Sequence, residues 1–396
     1  MNFITIDQDE FRKFADQSKY KSFMQTPEIA KLREKNGWTP YYFGVESNGK
    51  LKAAAMLVAK PTFLGKSTYI CPGGPLLDLE DAETTNFFFT HLKRYIKSHN
   101  GYTLHIDPYY ELIERDRDGD QVEHGFNHES AKKNLKNLGF TETKSTQPNY
   151  LFVMDLENRT EDELLADLKR NTRNHIKKAE KKNVKVRELK REELGILKQI
   201  TESTSKRRHF EDRPLQYYEQ MYDLFAPKHE VKFLIAEAQL EKGDEAEAII
   251  ESEGVRRLAS RGVAPAARGD GPDGRAPKFN NSSALTSLSA AMFMLYGDEV
   301  VYLFSGSDEE YMKEYNAQYA IQWHIIKYAA SHKFKRYNFY GISGLPQNGE
   351  LDGIYEFKKG FDVRHGKVVE LIGSYELCTN HLFYHLHQLL AKLKHH

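Results

Sequence analysis

Two cysteines in 396 residues, Cys71 and Cys378, stand far apart and outside any CxxC spacing, which excludes a disulfide scaffold and a cysteine-based zinc cluster. Both read as ordinary thiols. Long apolar runs are scarce as well: the one around Ala53 to Ala59 falls well short of the roughly 20 residues a membrane-spanning helix needs. The N-terminus shows no charged start followed by an apolar core, so a cytoplasmic location is expected. Net charge is missing too, because 57 Lys and Arg balance 57 Asp and Glu. Any anionic partner would have to be held by a local patch, since the whole-molecule field has no sign with which to steer it. "LGKST" ends like a phosphate-binding loop, but the earlier glycine of GxxxxGK[ST] falls on Lys60. His381 and His385 are spaced i, i+4 without the Glu of a HExxH site, so no metal is expected.

What is present points to a large α/β protein of two or three domains. "YYFGVES" and "KLKAAAMLVAK" read as strands around a turn at Asn48 and Gly49, "DAETTNFFFTHLKRYIKSH" as a helix, and "YTLHIDP" as a buried strand stopped by Pro108. The order returns later as the strand "EVVYLFSG", the helical stretch "EYNAQYAIQWHIIKYAASHK" and the strand "RYNFYG". One mixed unit is used twice. Between the two, Thr160 and Glu163 form a capping box that opens a helix, "EDELLADLKRNTRNHIKKAEKK", with Leu164, Leu165, Leu168 and Ile176 toward a core. Its Lys169, Arg173, Lys177 and Lys181 repeat at i, i+4, where phosphates could lie as readily as solvent. Residues 239–283 start acidic and continue as "GVRRLASRGVAPAARGDGPDGRAPKF", without periodicity, and read as a largely disordered insertion. Leu382, Leu386, Leu389, Leu390 and Leu393 form an apolar stripe on a C-terminal helix.

Two stretches concentrate chemistry. "RRHFEDRPLQYYEQMY" sets arginine and tyrosine beside a proline, and a guanidinium suits bidentate phosphate recognition, although a surface turn leading into a helix would look the same. "YNFYGISG" is followed closely by "GIYEFKKGF", which brings aromatics, glycines and paired lysines together near the end of the chain.

With these residues in view the chain resembles the FemABX family, non-ribosomal peptidyltransferases that move amino acids from aminoacyl-tRNA onto the stem peptide of a peptidoglycan precursor. The likeness lies in "SFMQTPEIAKLREKNGW", "GGPLLD", "LHIDP", "DRPLQYYEQMY", "AIQWHIIKYAASH", "RYNFYGISG" and "YEFKKGF" taken together, and is greatest to the FemA/FemB and MurM/MurN group. It implies an α/β (α+β) fold of two domains resembling GCN5-related acetyltransferases, assigned here to residues 1–148 and to 149–238 with 284–375. The second would carry an inserted helical arm, 239–283, shortened and partly disordered in this chain, and a C-terminal helix, 376–396, would follow. The resemblance further implies that Arg33, standing where relatives have lysine, with Lys35 as its near substitute, acts with Arg213 and Tyr217 to hold the precursor's phosphates. Phe357 and Lys358 match the pair at the acyl-transfer centre, Asp107 the acidic residue after a strand of the first domain, and Tyr302 and Tyr340 are further carry-overs.

The implied reaction is aminoacyl transfer (Gly, Ala or Ser) to the stem-peptide lysine or the growing bridge of lipid II or UDP-MurNAc-pentapeptide. Aminoacyl-tRNA would be the co-substrate and no cofactor would be needed. Peripheral contact with the inner membrane face and a homo- or heterodimer with a paralogue are implied partners. An activated ester needs no covalent enzyme intermediate, so a fixed cation for the developing negative charge, assigned to Lys358, and an apolar wall including Phe357 are the main demands. Asp107 would position the amine or take its proton. Lys359 would face solvent if the segment is extended. Two other readings are a catalytically silent binder of wall precursor or tRNA and an acetyl-CoA-dependent N-acyltransferase, although no [QR]xxGx[GA] turn is found at the needed place.

Overall fold

The computed structural model describes residues 1–62, 64–208, 211–240, 285–345 and 353–386. β1 (Asn2–Thr5) leads to α1 (Gln8–Gln17) and α2 (Pro27–Glu34). Asn48 and Gly49 both take left-handed dihedrals, the geometry that joins two twisted strands tightly, and so link β2 (Thr39–Ser47) to β3 (Lys50–Pro61) as a hairpin. β4 (Ser67–Gly73) extends the meander. α3 (Ala82–Ser98) then carries the chain back, and β5 (Gly101–Pro108) lies parallel to β4.

The later half repeats the plan. After α5 (Glu161–Ala166), α6 (Arg170–Lys181), β9 (Lys185–Glu188), α7 (Leu194–Arg208) and α8 (Leu215–Phe225), the antiparallel run β10 (Val231–Ala238), β11 (Thr286–Tyr296) and β12 (Glu299–Ser307) is followed by α9 (Glu309–Tyr315) and α10 (Ala317–Ser331). These return the chain to β13 (Arg336–Gly341), parallel to β12. The remaining elements are β6 (Glu111–Arg115), α4 (Glu129–Asn137), β7 (Thr141–Thr143), β8 (Tyr150–Asp155), α11 (Gly353–Lys359), β14 (Lys367–Leu371) and β15 (Ser374–Cys378).

The two sheets, ordered β1-β2-β3-β4-β5-β15-β7 and β6-β14-β8-β13-β12-β11-β10-β9, exchange strands. β6 leaves the first unit to edge the second sheet, and β15 returns from the second unit to pair with β5 and β7. The expected division near residue 148 is thus crossed twice. One apolar core also spans both sheets, with Ile6, Phe11, Met56 and Val58 packing together with Phe233, Ile235, Met292 and Val301. Arg12 of α1 reaches Glu230, and Lys228 reaches Glu28, so charge ties reinforce the same junction.

Several local expectations need correcting. The helix opened by the Thr160–Glu163 box is two helices, because Asp167 turns inward to pair with Arg159 and the Lys169 amide is taken by the Gly360 carbonyl. "EYNAQYAIQWHIIKYAASHK" breaks likewise at Asn316, whose positive φ of 52° ends α9 with a left-handed cap. "GIYEFKKGF" is helical, not extended: Lys359 pairs with Asp118 and lies over the Tyr355 ring, away from solvent. Residues 376–378 complete β15, and of the predicted leucine stripe Leu382 and Leu386 are 85% and 40% exposed. Leu389, Leu390 and Leu393, and the insertion beyond residue 240, lie outside the described residues.

Candidate active site

β12 and β13 pair only at Glu299–Arg336, Val300–Tyr337 and Val301–Asn338. Beyond Asn338 the register of β13 against β8 slips, and Tyr340 adopts φ 63°, a strained conformation for a tyrosine. Asn338 holds the kink: its side-chain oxygen accepts from the Tyr340 amide at 2.7 Å, while its Nδ2 donates to the Tyr109 hydroxyl at 3.0 Å and to Glu299 at 3.1 Å. Gly341, next in line, lets Pro148 lie where a Cβ would be, 2.5 Å from the proline ring. The Tyr340 hydroxyl donates to Gln147.

The kink turns Tyr340 toward a polar junction between the two units. Asp107 at the end of β5, Arg213 just before α8, and Tyr217 on α8 act electrostatically both on Tyr340 and on Arg33 of α2. The Arg213 guanidinium lies over the Tyr217 ring at 5.5 Å. Burial, with Arg213 beside it, pulls the Arg33 pKa below its ordinary value, against Tyr217 and Asp107, which favour the charge. Burial pushes the Tyr217 and Tyr340 hydroxyls up, so both stay neutral and can donate. Lys35, in contrast, is exposed at the end of α2, where its charge bears on Asp223.

Asp107 is 7% exposed, yet it is held as an anion. Burial raises its pKa, but hydrogen bonds from His105 at 2.9 Å, from Ser374 and from Thr146 at 2.8 Å outweigh burial and leave it below the ordinary carboxylate range. His105 is driven the opposite way: burial lowers it, and Asp107 raises it by more. A depressed, hydrogen-bonded carboxylate is a weak proton acceptor, so of the two expected roles the arrangement favours positioning the amine over taking its proton.

Lys358 and Phe357 lie on α11, one peptide away from this junction. Lys358 is 6% exposed, and its ammonium donates to the Gly341 carbonyl. Phe357 meets Tyr319 edge-on at 5.0 Å and Phe361 at 5.3 Å, part of an apolar wall. Tyr302 stands apart on β12, paired with β11 but beyond the last residue that meets β13. It stacks on Phe293, accepts from the Gln318 amide at 2.7 Å and is pushed by burial up to about 12. Lys169 is paired with Glu356, and Arg173 donates to the Ala166 carbonyl at 2.9 Å, whereas Lys177 and Lys181 are exposed.

A cleft of about 620 Å³ opens on the side of Asp107 and Tyr340. Its floor is Leu151, Val153, Val369 and Leu371 on β8 and β14. Sequence reasoning missed this floor, and also Gln147, Thr146 and Ser374, which reach the site from loops and a crossing strand. His105 was legible: it stands two residues from Asp107 on one strand, hence on the same face.

Comparison with known proteins agrees with this architecture. A family model described as the FemAB family matches residues 6–247 and 276–392. Aminoacyltransferase FemA of Staphylococcus aureus (strain bovine RF122 / ET3-1) is 28% identical over 421 residues, covering 100% of this chain and 99% of that one. The crystal structure of FemX superposes with a TM-score of 0.74 at 20% identity, over 98% of this chain and 99% of that one. A tandem GNAT protein from the clavulanic acid biosynthesis pathway follows with a TM-score of 0.51 at 9% identity, over 96% of this chain and 98% of that one. The fold is therefore the expected pair of units resembling GCN5-related acetyltransferases in fold, with strands exchanged between them.

Proposed function

Because the chain belongs to the FemAB family, we propose that it is an aminoacyltransferase of peptidoglycan assembly, which moves one amino acid from aminoacyl-tRNA to an amine on the stem peptide or growing bridge of a wall precursor. The relative named aminoacyltransferase FemA supports the transferase class. One observation carries the assignment of roles. Arg33, Asp107, Arg213, Tyr217 and Tyr340 converge on one junction, and the peptide beyond Tyr340 presents its carbonyl to the buried Lys358.

In this reading Arg33 and Arg213 hold the precursor's diphosphate, for which two guanidiniums and a neutral tyrosine hydroxyl provide forked and single donors. Asp107 keeps two like charges close and, as a hydrogen-bond acceptor, orients the amine in its neutral form. The peptide arm lies in the cleft over Leu151, Val153, Val369 and Leu371, which contribute apolar contact without chemistry. The amine nitrogen attacks the ester carbonyl, the carbon–oxygen bond to the ribose breaks, and the proton lost by the amine is balanced by the one the ribose hydroxyl gains. Lys358 stabilises the negative charge that builds on the ester oxygen, and Phe357 with Tyr319 keeps bulk water from hydrolysing the ester.

The test is transfer of labelled amino acid from a charged tRNA pool to lipid II and, separately, to UDP-MurNAc-pentapeptide, each with partial bridges supplied. Label that depends on Lys358 supports the reading and identifies the acceptor. No label in either acceptor, from protein shown to be folded, overturns it in favour of a silent precursor-binding protein.

A further inference from the structure

The cations of α6 and its two caps are not equivalent. Lys169 pairs with Glu356, Lys178 donates to the Lys313 carbonyl at 3.3 Å, Lys182 bonds Glu314 at 2.6 Å beside the Tyr315 ring, and Arg173 is bound to the carbonyls that end α5. These four have partners within the molecule, although Lys169 and Lys178 remain exposed. Arg170, Lys177 and Lys181 are exposed, and none of them has an ion pair or hydrogen bond among the described residues. At about 100° per residue they fall within about 40° of one another around the helix axis, whereas Lys169 and Lys178 flank them on opposite sides. Asn174 is exposed on the same face, and Thr172, Ile176 and Ala179 are buried on the other side. The straight row is thus Arg170, Lys177 and Lys181, spanning roughly 16 Å, and not the i, i+4 series from Lys169.

The row starts at the site proposed for acyl transfer. The Lys169 amide donates to the Gly360 carbonyl at 2.8 Å, and Thr172 packs where a Cβ on Gly360 would be, so the N-terminus of α6 is fixed against the end of the helix bearing Phe357 and Lys358. A linear anion whose reactive end reached Lys358 would run along this face. The apolar side chains of α6 all face inward, leaving none beside the row to enter a bilayer, which disfavours a membrane surface.

We propose that Arg170, Lys177 and Lys181 form the phosphate track for the acceptor end of the tRNA, an inference that rests on the reaction proposed above. Lys169 and Arg173 then take no part in it. The experiment measures the affinity of the full chain for uncharged bulk tRNA across a salt series. It compares a Lys177→Ala/Lys181→Ala pair with a Lys169→Ala/Lys178→Ala pair, which removes the same charge from the flanks. The face pair is expected to weaken binding about tenfold near 0.1 M salt and to lower the slope of log affinity against log salt by roughly 1.5, while the flank pair changes the slope by less than about 0.5. Equal slopes for the two pairs, or a face pair that matches the wild type, overturns the proposal. So does a face pair that loses binding only to vesicles of phosphatidylglycerol and phosphatidylcholine. Wild-type transfer of label tests the reaction separately: transfer with an unaltered slope sinks the track alone, and a wild type that neither binds tRNA nor transfers label sinks both.

Discussion

β4 and β5 stay paired from Ser67–Gly101 to Gly73–Pro108, whereas β12 and β13, connected by the same kind of crossover, share three pairs and then go separate ways. The closed pair is filled by Tyr69, Leu104 and Ile106 and offers chemistry only at its end, where Asp107 emerges. The open pair leaves six residues of β12 and three of β13 without each other, and most of the candidate residues gather around that opening. The duplicated units thus differ in strand pairing: one completes the hydrogen bonds between its crossover strands, and the other leaves them incomplete beside Tyr340 and Gly341.

The sharpest way to break the comparison is at the open pair. Lys358→Met should lower turnover by about 10²- to 10³-fold, the usual effect of deleting one preorganised donor, with precursor binding little changed. Single-turnover label transfer beside a precursor titration measures both, and unchanged turnover would remove the open pair's catalytic claim. The converse lies at the closed pair. Leu104→Ala, at a fully buried position, should cost about 2 to 5 kcal/mol of stability by denaturant titration. Its kcat per folded molecule should stay at the wild-type value, and a fall would show that the closed pair is more than scaffold.

Arg213→Ala should raise the precursor's KM about 10- to 100-fold, from the loss of charged hydrogen bonds, with a smaller change in kcat. Arg33→Lys should fall between Ala and wild type, because a lysine keeps the charge and loses the fork.

The smallest effect concerns pH. Asp107 is depressed on folding, so its contribution to stability is present above its unfolded value near pH 4 and fades as pH falls through the depressed value. His105 is raised, so its contribution is full below its unfolded value near 6.5 and fades as pH rises through the raised value. Asp107→Asn should therefore lose roughly 1 to 3 kcal/mol at pH 5, where both contributions stand, and less at pH 9. Unfolding midpoints from pH 3 to 9 would reveal the difference, and a uniform loss across that range would contradict the His105–Asp107 coupling.

The sequence carried its information where the physics is local. An Asn-Gly turn forces a hairpin, the Thr160–Glu163 box starts a helix, and alternating strands around a helix imply a crossover. It was less informative where a partner far along the chain decides. Nothing near Lys358 announces the Gly341 carbonyl, nothing near Asp107 announces Ser374, and the leucines at 382 and 386 had the spacing of a core stripe without a core to face. The i, i+4 ladder on α6 was legible as a pattern, but sequence spacing does not reveal that Lys169 pairs with Glu356 or that Arg173 is bound to the carbonyls ending α5.

By itself, then, the sequence determined the two repeated units, their turns and caps, and the candidate residues for the proposed phosphate recognition and acyl transfer, since backbone preference and hydrophobic period act over a few residues. The tertiary structure alone decided the strand exchange, the core common to both sheets, the kink at Tyr340 and the countercharged state of Asp107. Each of these also draws on groups far along the chain, as Ser374 does for Asp107 and Tyr109 for Asn338, and the energy of a buried charge or hydrogen bond is set by its neighbours in space.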